Sequence, residues 1–76
     1  MVKAHMRPRQ YKAALDTLGW THERLAHAIG KTERHSHRYA SGFTPIPKSV
    51  AIMVRRLVQD RLTMSTRRFD EMVSQL

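Results

Sequence analysis

The chain has 76 residues, with 14 lysines and arginines against 6 aspartates and glutamates, a formal net charge of +8 and no cysteine. This length predicts one domain with a small core, and the missing cysteine excludes disulfides and thiolate zinc sites. The charge suits a polyanion, with an anionic membrane surface as the competing partner. No signal-peptide pattern or membrane-length apolar run occurs, so we expect a cytoplasmic protein that does not bind membranes.

Helix signals dominate the sequence, and strand alternation is nearly absent. The first helix is predicted to begin at Pro8 and to end before Gly19, because proline suits the first helical turn and glycine follows the last. Tyr11, Leu15 and Leu18 share one face of this helix at spacings of four and three residues. We expect that face to be buried.

Two short helices are predicted next, each preceded by a threonine and followed by a glycine. Thr21 is the cap candidate for the first, a helix of about eight residues that Gly30 ends. Thr32 is the cap candidate for the second, which runs over about Glu33–Ser41 and stops at Gly42.

Two further helices are predicted after a proline-containing turn. Pro47 opens one that runs to about Arg61, and the last helix covers about 65–76, with Thr63, Ser65 or Thr66 as its cap. The apolar face of the last helix consists of Phe69, Met72, Val73 and Leu76. The predicted fold class is therefore all-α, with four to five helices.

Small, glycine and apolar residues occur at specific spacings in the two short helices and the turn between them. Ala26 lies four residues before Gly30, so a small side chain lets the helices cross closely and the glycine permits a left-handed turn. Ile29 and Tyr39 supply a shared core. This is the pattern of a helix-turn-helix, whose second helix enters the major groove of DNA.

The stretch LGWTHERLAHAIGKTERHSHRYASGFTPIP resembles the lambda-repressor/Cro-like (XRE) family of helix-turn-helix DNA-binding domains. A leucine-alanine pair, a glycine four residues after the alanine, and an aromatic residue nine after that glycine all match the family pattern, and PKSVAIMVRRL matches its usual fourth helix. The matching residues are Leu18-Gly19, Trp20-Thr21, Leu25-Ala26, Ile29-Gly30, Thr32, Tyr39, Ser41-Gly42 and Pro45 to Pro47.

The resemblance covers about residues 8 to 58. It implies a compact lambda-repressor-like domain over 1–76, with the motif at about 21–42. The implied function is sequence-specific binding of double-stranded DNA by a small repressor or autoregulator, phage- or operon-associated and close to the bacterial nucleoid.

Two positions depart from the family pattern. The residue after Gly30 is usually apolar and here is Lys31, and the position six after that glycine usually holds valine or isoleucine and here holds Ser36. The pattern puts Ser36 at the buried contact between helices, where its hydroxyl needs a partner. The expected partner is a carbonyl one turn back.

Family positions carried over one by one imply which side chains contact DNA. The candidates for contacts with base edges are Glu33, Arg34, His35 and Arg38. An arginine suits guanine, and Glu33 either accepts from cytosine N4 or holds Arg34 or Arg38 in place. The phosphate candidates are Thr21, His22, Lys31, His37, Thr44 and Lys48. The alternative for all of these residues is a solvated charged face.

Metal binding and catalysis are not expected. His35 and His37 lie two residues apart, so on a helix they point to different sides and do not chelate one ion. No catalytic triad pattern is evident, and carboxylates are few. We therefore predict neither an enzyme nor a bound cofactor or metal.

The resemblance also implies partners. Family members commonly dimerise, so that two recognition helices meet successive major grooves about 34 Å apart. The last helix is the dimerisation candidate, and the alternative is that its apolar face closes the core of the monomer. Competing functions are an antitoxin whose last helix binds a toxin, and a basic protein-interaction or RNA-binding module.

Overall fold

The computed structural model describes residues 5–75, which form five helices and the turns that connect them. The helices are α1 (Pro8–Leu18), α2 (His22–Ala28), α3 (Glu33–Ser41), α4 (Lys48–Thr63) and α5 (Thr66–Val73). These residues contain no strand, so the predicted all-α fold is confirmed. Within the same residues, none of the helices combines the length and apolar character needed to cross a membrane.

The starts of the capped helices follow the predicted caps, but the last helix ends at Val73 and not near residue 76, since Ser74 and Gln75 form a turn. Thr21 and Thr32 cap α2 and α3 by accepting hydrogen bonds from backbone N–H groups at 3.2 and 3.3 Å, and Ser65 caps α5 in the same way at 3.3 Å. Gly30 lies in the turn between α2 and α3 with φ 70°, and Gly42 follows α3 with φ 82°. Both glycines adopt left-handed backbone that other residues rarely adopt.

One apolar core connects the helices. α1 packs against both α3 and α4, α2 packs against α3, and α5 packs against α4. The rings of Tyr11 on α1 and Tyr39 on α3 pack at a steep angle to each other, with centroids 5.8 Å apart, so α1 supports α3 from its buried side. The other large buried side chains of this core are Met6, Leu15, Leu18, Trp20, Leu25, Ile29, Ile46, Val50, Val54, Leu57 and Phe69.

The apolar face of α5 is turned toward this core. Phe69 is 1% exposed and its ring lies 5.8 Å from that of Trp20. Met72 and Val73 are half-buried and pack against the same core. Within one chain the described part of this face closes the core, and its exposed area comes from Met72 and Val73. Leu76 lies outside the described residues.

Candidate nucleic-acid interface

A compact turn joins α2 to α3. The N–H of Lys31 donates to the carbonyl oxygen of Ala26 at 2.8 Å, which folds the chain back immediately after Gly30. Ala26 and Ile29 are buried beneath this turn. The small residue and the left-handed glycine therefore act as the sequence predicts, and α3 is held firmly across α2.

Ser36 occupies the centre of the contact among α1, α2 and α3. It is 0% exposed, and its Oγ lies 2.6 Å from the hydroxyl oxygen of Tyr11 and 2.8 Å from Nδ1 of His22. The expectation of a carbonyl partner one turn back is wrong, because side chains of two other helices satisfy the hydroxyl. Among residues 5–75, no buried side-chain nitrogen or oxygen lacks a hydrogen-bond partner.

A serine hydroxyl beside a histidine nitrogen also resembles a nucleophile with its base. Here Ser36 is fully buried and its second bond goes to Tyr11, so no substrate reaches it. Burial raises the pKa of Tyr11 above its ordinary value, which keeps that hydroxyl neutral. We therefore interpret the Tyr11–Ser36–His22 network as the structural link that sets the position of α3.

His22 is partly enclosed between α2 and α3. Its ring stacks on the ring of His37, with centroids 3.9 Å apart and planes 28° apart. Burial lowers the pKa of His22 below 6.5, nearby His37 lowers that pKa further, and Glu33 opposes the shift. His22, predicted as a phosphate contact, therefore also packs against α3. Its Nδ1 is bonded to Ser36.

Glu33 does not hold either arginine of α3. Its Oε1 lies 3.8 Å from Nε2 of His37, one turn further along the helix. The predicted alternative that Glu33 fixes Arg34 or Arg38 is therefore wrong. Neither arginine pairs with a carboxylate anywhere in the described part of the chain, so both guanidinium groups keep their donors for another acceptor.

Arg38 lies beside an aromatic ring that sequence reasoning missed. Its guanidinium carbon is 5.3 Å from the ring centroid of Phe43, a residue that is 75% exposed just after Gly42. The sequence does show an aromatic residue directly after the glycine that ends the helix. It does not show whether such a ring is buried or exposed. The two side chains share an open hollow of about 520 Å³ with Arg34, His37 and Ser41.

His35 is anchored at the start of α3. Its Nδ1 lies 2.8 Å from Oγ1 of Thr32, the residue that caps the helix. The imidazole is exposed, and its centroid is 6.3 Å from the Tyr39 ring. Among the candidates for base contacts, His35 is thus bonded to the capping residue of α3, while Arg34 and Arg38 border the hollow.

Four of the phosphate candidates flank α3 along the chain, Thr21 and Lys31 before it and Thr44 and Lys48 after it. Thr21 and Lys31 are exposed and line a second hollow, of about 460 Å³, which Glu33 also borders. After α3, the N–H of Thr44 donates to the carbonyl oxygen of Arg38 at 3.3 Å, and the exposed Lys48 begins α4. His37, the remaining candidate, lies on α3 itself.

This surface presents hydrogen-bond donors on the exposed face of α3. Within residues 5–75, no group of three or more potential metal ligands is assembled. Comparison with protein-family models, with curated protein sequences and with solved structures finds no match to this chain. The geometry of α2 and α3 and the chemistry of their exposed side chains therefore carry the functional argument.

Proposed function

We propose that this protein binds double-stranded DNA sequence-specifically, with α3 lying in the major groove. The observation that carries the proposal is the division of α3 into two faces. One face is fixed to α1 and α2 through Ser36 and Tyr39. The opposite face presents Arg34 and Arg38 with no carboxylate partner.

The charge balance supports a polyanionic ligand. The net charge of +8 gives the chain a long-range attraction to DNA phosphates. Contacts from Thr21, Lys31, Thr44 and Lys48, which flank α3 along the chain, would fix its register on the duplex without reading sequence. His22 and His37 add imidazole donors between them.

Sequence would be read by the side chains that α3 projects outward. Arg34 and Arg38 suit guanine, whose N7 and O6 accept two hydrogen bonds from one guanidinium. His35, held near the turn by Thr32, would reach a base near the start of the helix. Glu33 retains the option of accepting from cytosine N4, with His37 as its partner in the free protein.

The resemblance of the sequence over α2 and α3 to the lambda-repressor/Cro-like family supports a more specific biological role. We propose a small repressor or autoregulator in the bacterial cytoplasm, encoded by a phage or beside a small operon, that blocks a promoter by occupying it. Two copies would bind two half-sites about 34 Å apart. Contacts between copies would use the exposed parts of Met72 and Val73.

A second candidate adds a protein partner, as in an antitoxin that binds both DNA and a toxin. The observation in its favour is a mostly apolar groove of about 200 Å³ between α2, α4 and α5. Met53, Leu57 and Met72 line it, with Arg56 and Asp60 beside them. A protein ligand on this groove would leave α3 free for DNA.

The decisive experiment is selection of bound duplexes from a random pool, followed by affinity measurements at several salt concentrations. We expect one enriched sequence, organised as a palindrome with one-turn spacing if two copies bind, and an affinity that falls steeply with salt. An equal affinity for the selected duplex, random duplex and RNA would replace this proposal with a generic polyanion binder.

Two substitutions separate base contacts from phosphate contacts. Arg38→Ala should weaken binding to the selected duplex by about 1–3 kcal/mol and relax base choice at one position. Lys31→Ala should weaken binding to all sequences alike and flatten the salt dependence. Uniform weakening by Arg38→Ala would make Arg38 a phosphate contact instead.

A further inference from the structure

Phe43 has the largest exposed fraction among the large apolar side chains of residues 5–75, at 75%. A single exposed apolar residue is ordinary on a protein surface. What distinguishes Phe43 is its surroundings, because its ring borders the same hollow as Arg34, His37 and Arg38. An apolar ring beside two arginines fits a ligand surface that is mostly polar and anionic and carries one apolar group.

Backbone contacts hold the ring on this side of the molecule. The N–H of Thr44 donates to the carbonyl oxygen of Arg38 at 3.3 Å, and the hydroxyl of Ser41 donates to the same oxygen at 3.2 Å. The N–H of Phe43 in turn donates to Oγ of Ser41 at 3.4 Å. The left-handed Gly42 makes this reversal possible, so the chain after α3 folds back onto the last turn of the helix.

The position of Phe43 is also coupled to that of Arg38. The guanidinium carbon of Arg38 lies 5.3 Å from the ring centroid, within reach of a cation–π interaction. This contact restricts where the guanidinium points and keeps the two side chains together. If Arg38 contacts a base, the Phe43 ring therefore contacts a neighbouring part of the same ligand.

We infer that Phe43 reads the 5-methyl group of a thymine that lies one or two base steps from the base pair that Arg38 contacts. The inference rests on the proposed binding of α3 in the major groove. In that groove the thymine methyl is the apolar group on a base edge, and phenylalanine is a side chain that suits it. Successive bases rise by about 3.4 Å, so the 5.3 Å between the two contact groups spans one or two base steps.

The preferred site therefore contains a guanine with a thymine one or two steps away. The test uses the duplex enriched by random selection, with each thymine replaced in turn by deoxyuridine, which lacks only the methyl group. The wild-type protein should bind about fourfold more weakly when one particular thymine is replaced, the size expected for losing one buried methyl group. Replacing that base by 5-methylcytosine, paired with guanine, should keep the methyl contact.

Variants assign that methyl dependence to the ring. Phe43→Ala should bind the thymine and deoxyuridine duplexes equally, and Phe43→Leu should retain part of the preference. Leu62→Ala is the matched control, because Leu62 is 72% exposed and borders a separate groove between α1 and α4. Its thymine preference should equal that of the wild type.

Two results would overturn the inference. One is a wild-type protein that binds every deoxyuridine duplex as tightly as the parent, and the other is a Phe43→Ala variant that keeps the full methyl preference. Both leave the selected duplex bound above random DNA, so the proposed function would survive them. Failure to enrich any duplex would overturn the proposed function and this inference together.

Discussion

Two buried contacts between helices differ in chemistry. At one, Ser36 of α3 is 0% exposed and bonds to side chains of α1 and α2. At the other, Phe69 of α5 is 1% exposed, with Trp20 on one side and the guanidinium of Arg61 5.9 Å from its ring. Both sites are closed to water, yet only the first is held by hydrogen bonds with fixed directions.

The two kinds of contact constrain a helix differently. Apolar burial stabilises in proportion to the area removed from water and tolerates small shifts of the packed groups. A hydrogen bond requires a defined distance and angle, and a buried hydroxyl that loses its partner is costly. The polar contact therefore fixes the orientation of α3, the proposed reading helix, and the apolar contact mainly stabilises the fold.

Removing the apolar contact should have the largest effect on stability. Phe69→Ala should lower the free energy of unfolding by about 3–5 kcal/mol, because it deletes a buried ring and leaves a cavity against Trp20. Urea denaturation followed by circular dichroism measures this change. If the alanine variant does not fold, Phe69→Leu provides a smaller deletion at the same site. A loss below 1 kcal/mol for Phe69→Ala would contradict the packing described.

Breaking the polar contact should cost less stability. Ser36→Ala should lower the free energy of unfolding by about 1–3 kcal/mol, because the Tyr11 hydroxyl and Nδ1 of His22 lose a buried partner. Combining Ser36→Ala with Tyr11→Phe tests the link, since removing both hydroxyls leaves no unpaired group between them. The double variant should be more stable than the sum of the two single losses predicts.

The comparison would be sharpened by measuring DNA affinity on the same variants at a temperature where all are folded. We expect Ser36→Ala to weaken binding to the selected duplex and Phe69→Leu to leave it near the wild-type value. Equal weakening by both would show that stability, and not orientation of α3, limits binding. Additive losses in the Ser36–Tyr11 cycle would mean that the two hydroxyls are not coupled.

The two contacts also differ in how far the sequence predicts them. The helix ends at Thr21, Thr32 and Gly42 depend on neighbours within a few residues, so capping rules found them. The partners of Ser36 lie 14 and 25 residues away in sequence, and only the packing of three helices brings them together.

Two surface features fall on opposite sides of this limit. Glu33 and His37 stand four apart, the spacing at which side chains meet on a helix, so the pair was within reach of a local rule. The all-α fold followed from apolar periodicity and helix-end signals, and Arg34 was a candidate through the family resemblance. The exposure of Phe43 did not, because no periodicity applies once the helix has ended at Gly42.

The smallest expected effect on stability comes from pH. Burial, with His37 nearby, lowers the pKa of His22 below 6.5 in the folded protein. The unfolded chain therefore binds more protons between the two pKa values, and the free energy of unfolding rises with pH in that window. The stability that neutral His22 contributes is fully present above a pH of about 6.5, and it is lost as the pH falls through the folded-state pKa.

The groups facing His22 are Ser36, His37 and Glu33 of α3, so protonation places a positive charge against a ring that already stacks on His37. Urea midpoints between pH 5 and 8 should fall on the acid side for the wild type and much less for His22→Gln. His27→Gln, an exposed position on the same helix, is the matched control and should follow the wild type. If His22→Gln keeps the full acid-side decrease, another group is responsible and the polar contact at Ser36 is not sensitive to pH through His22.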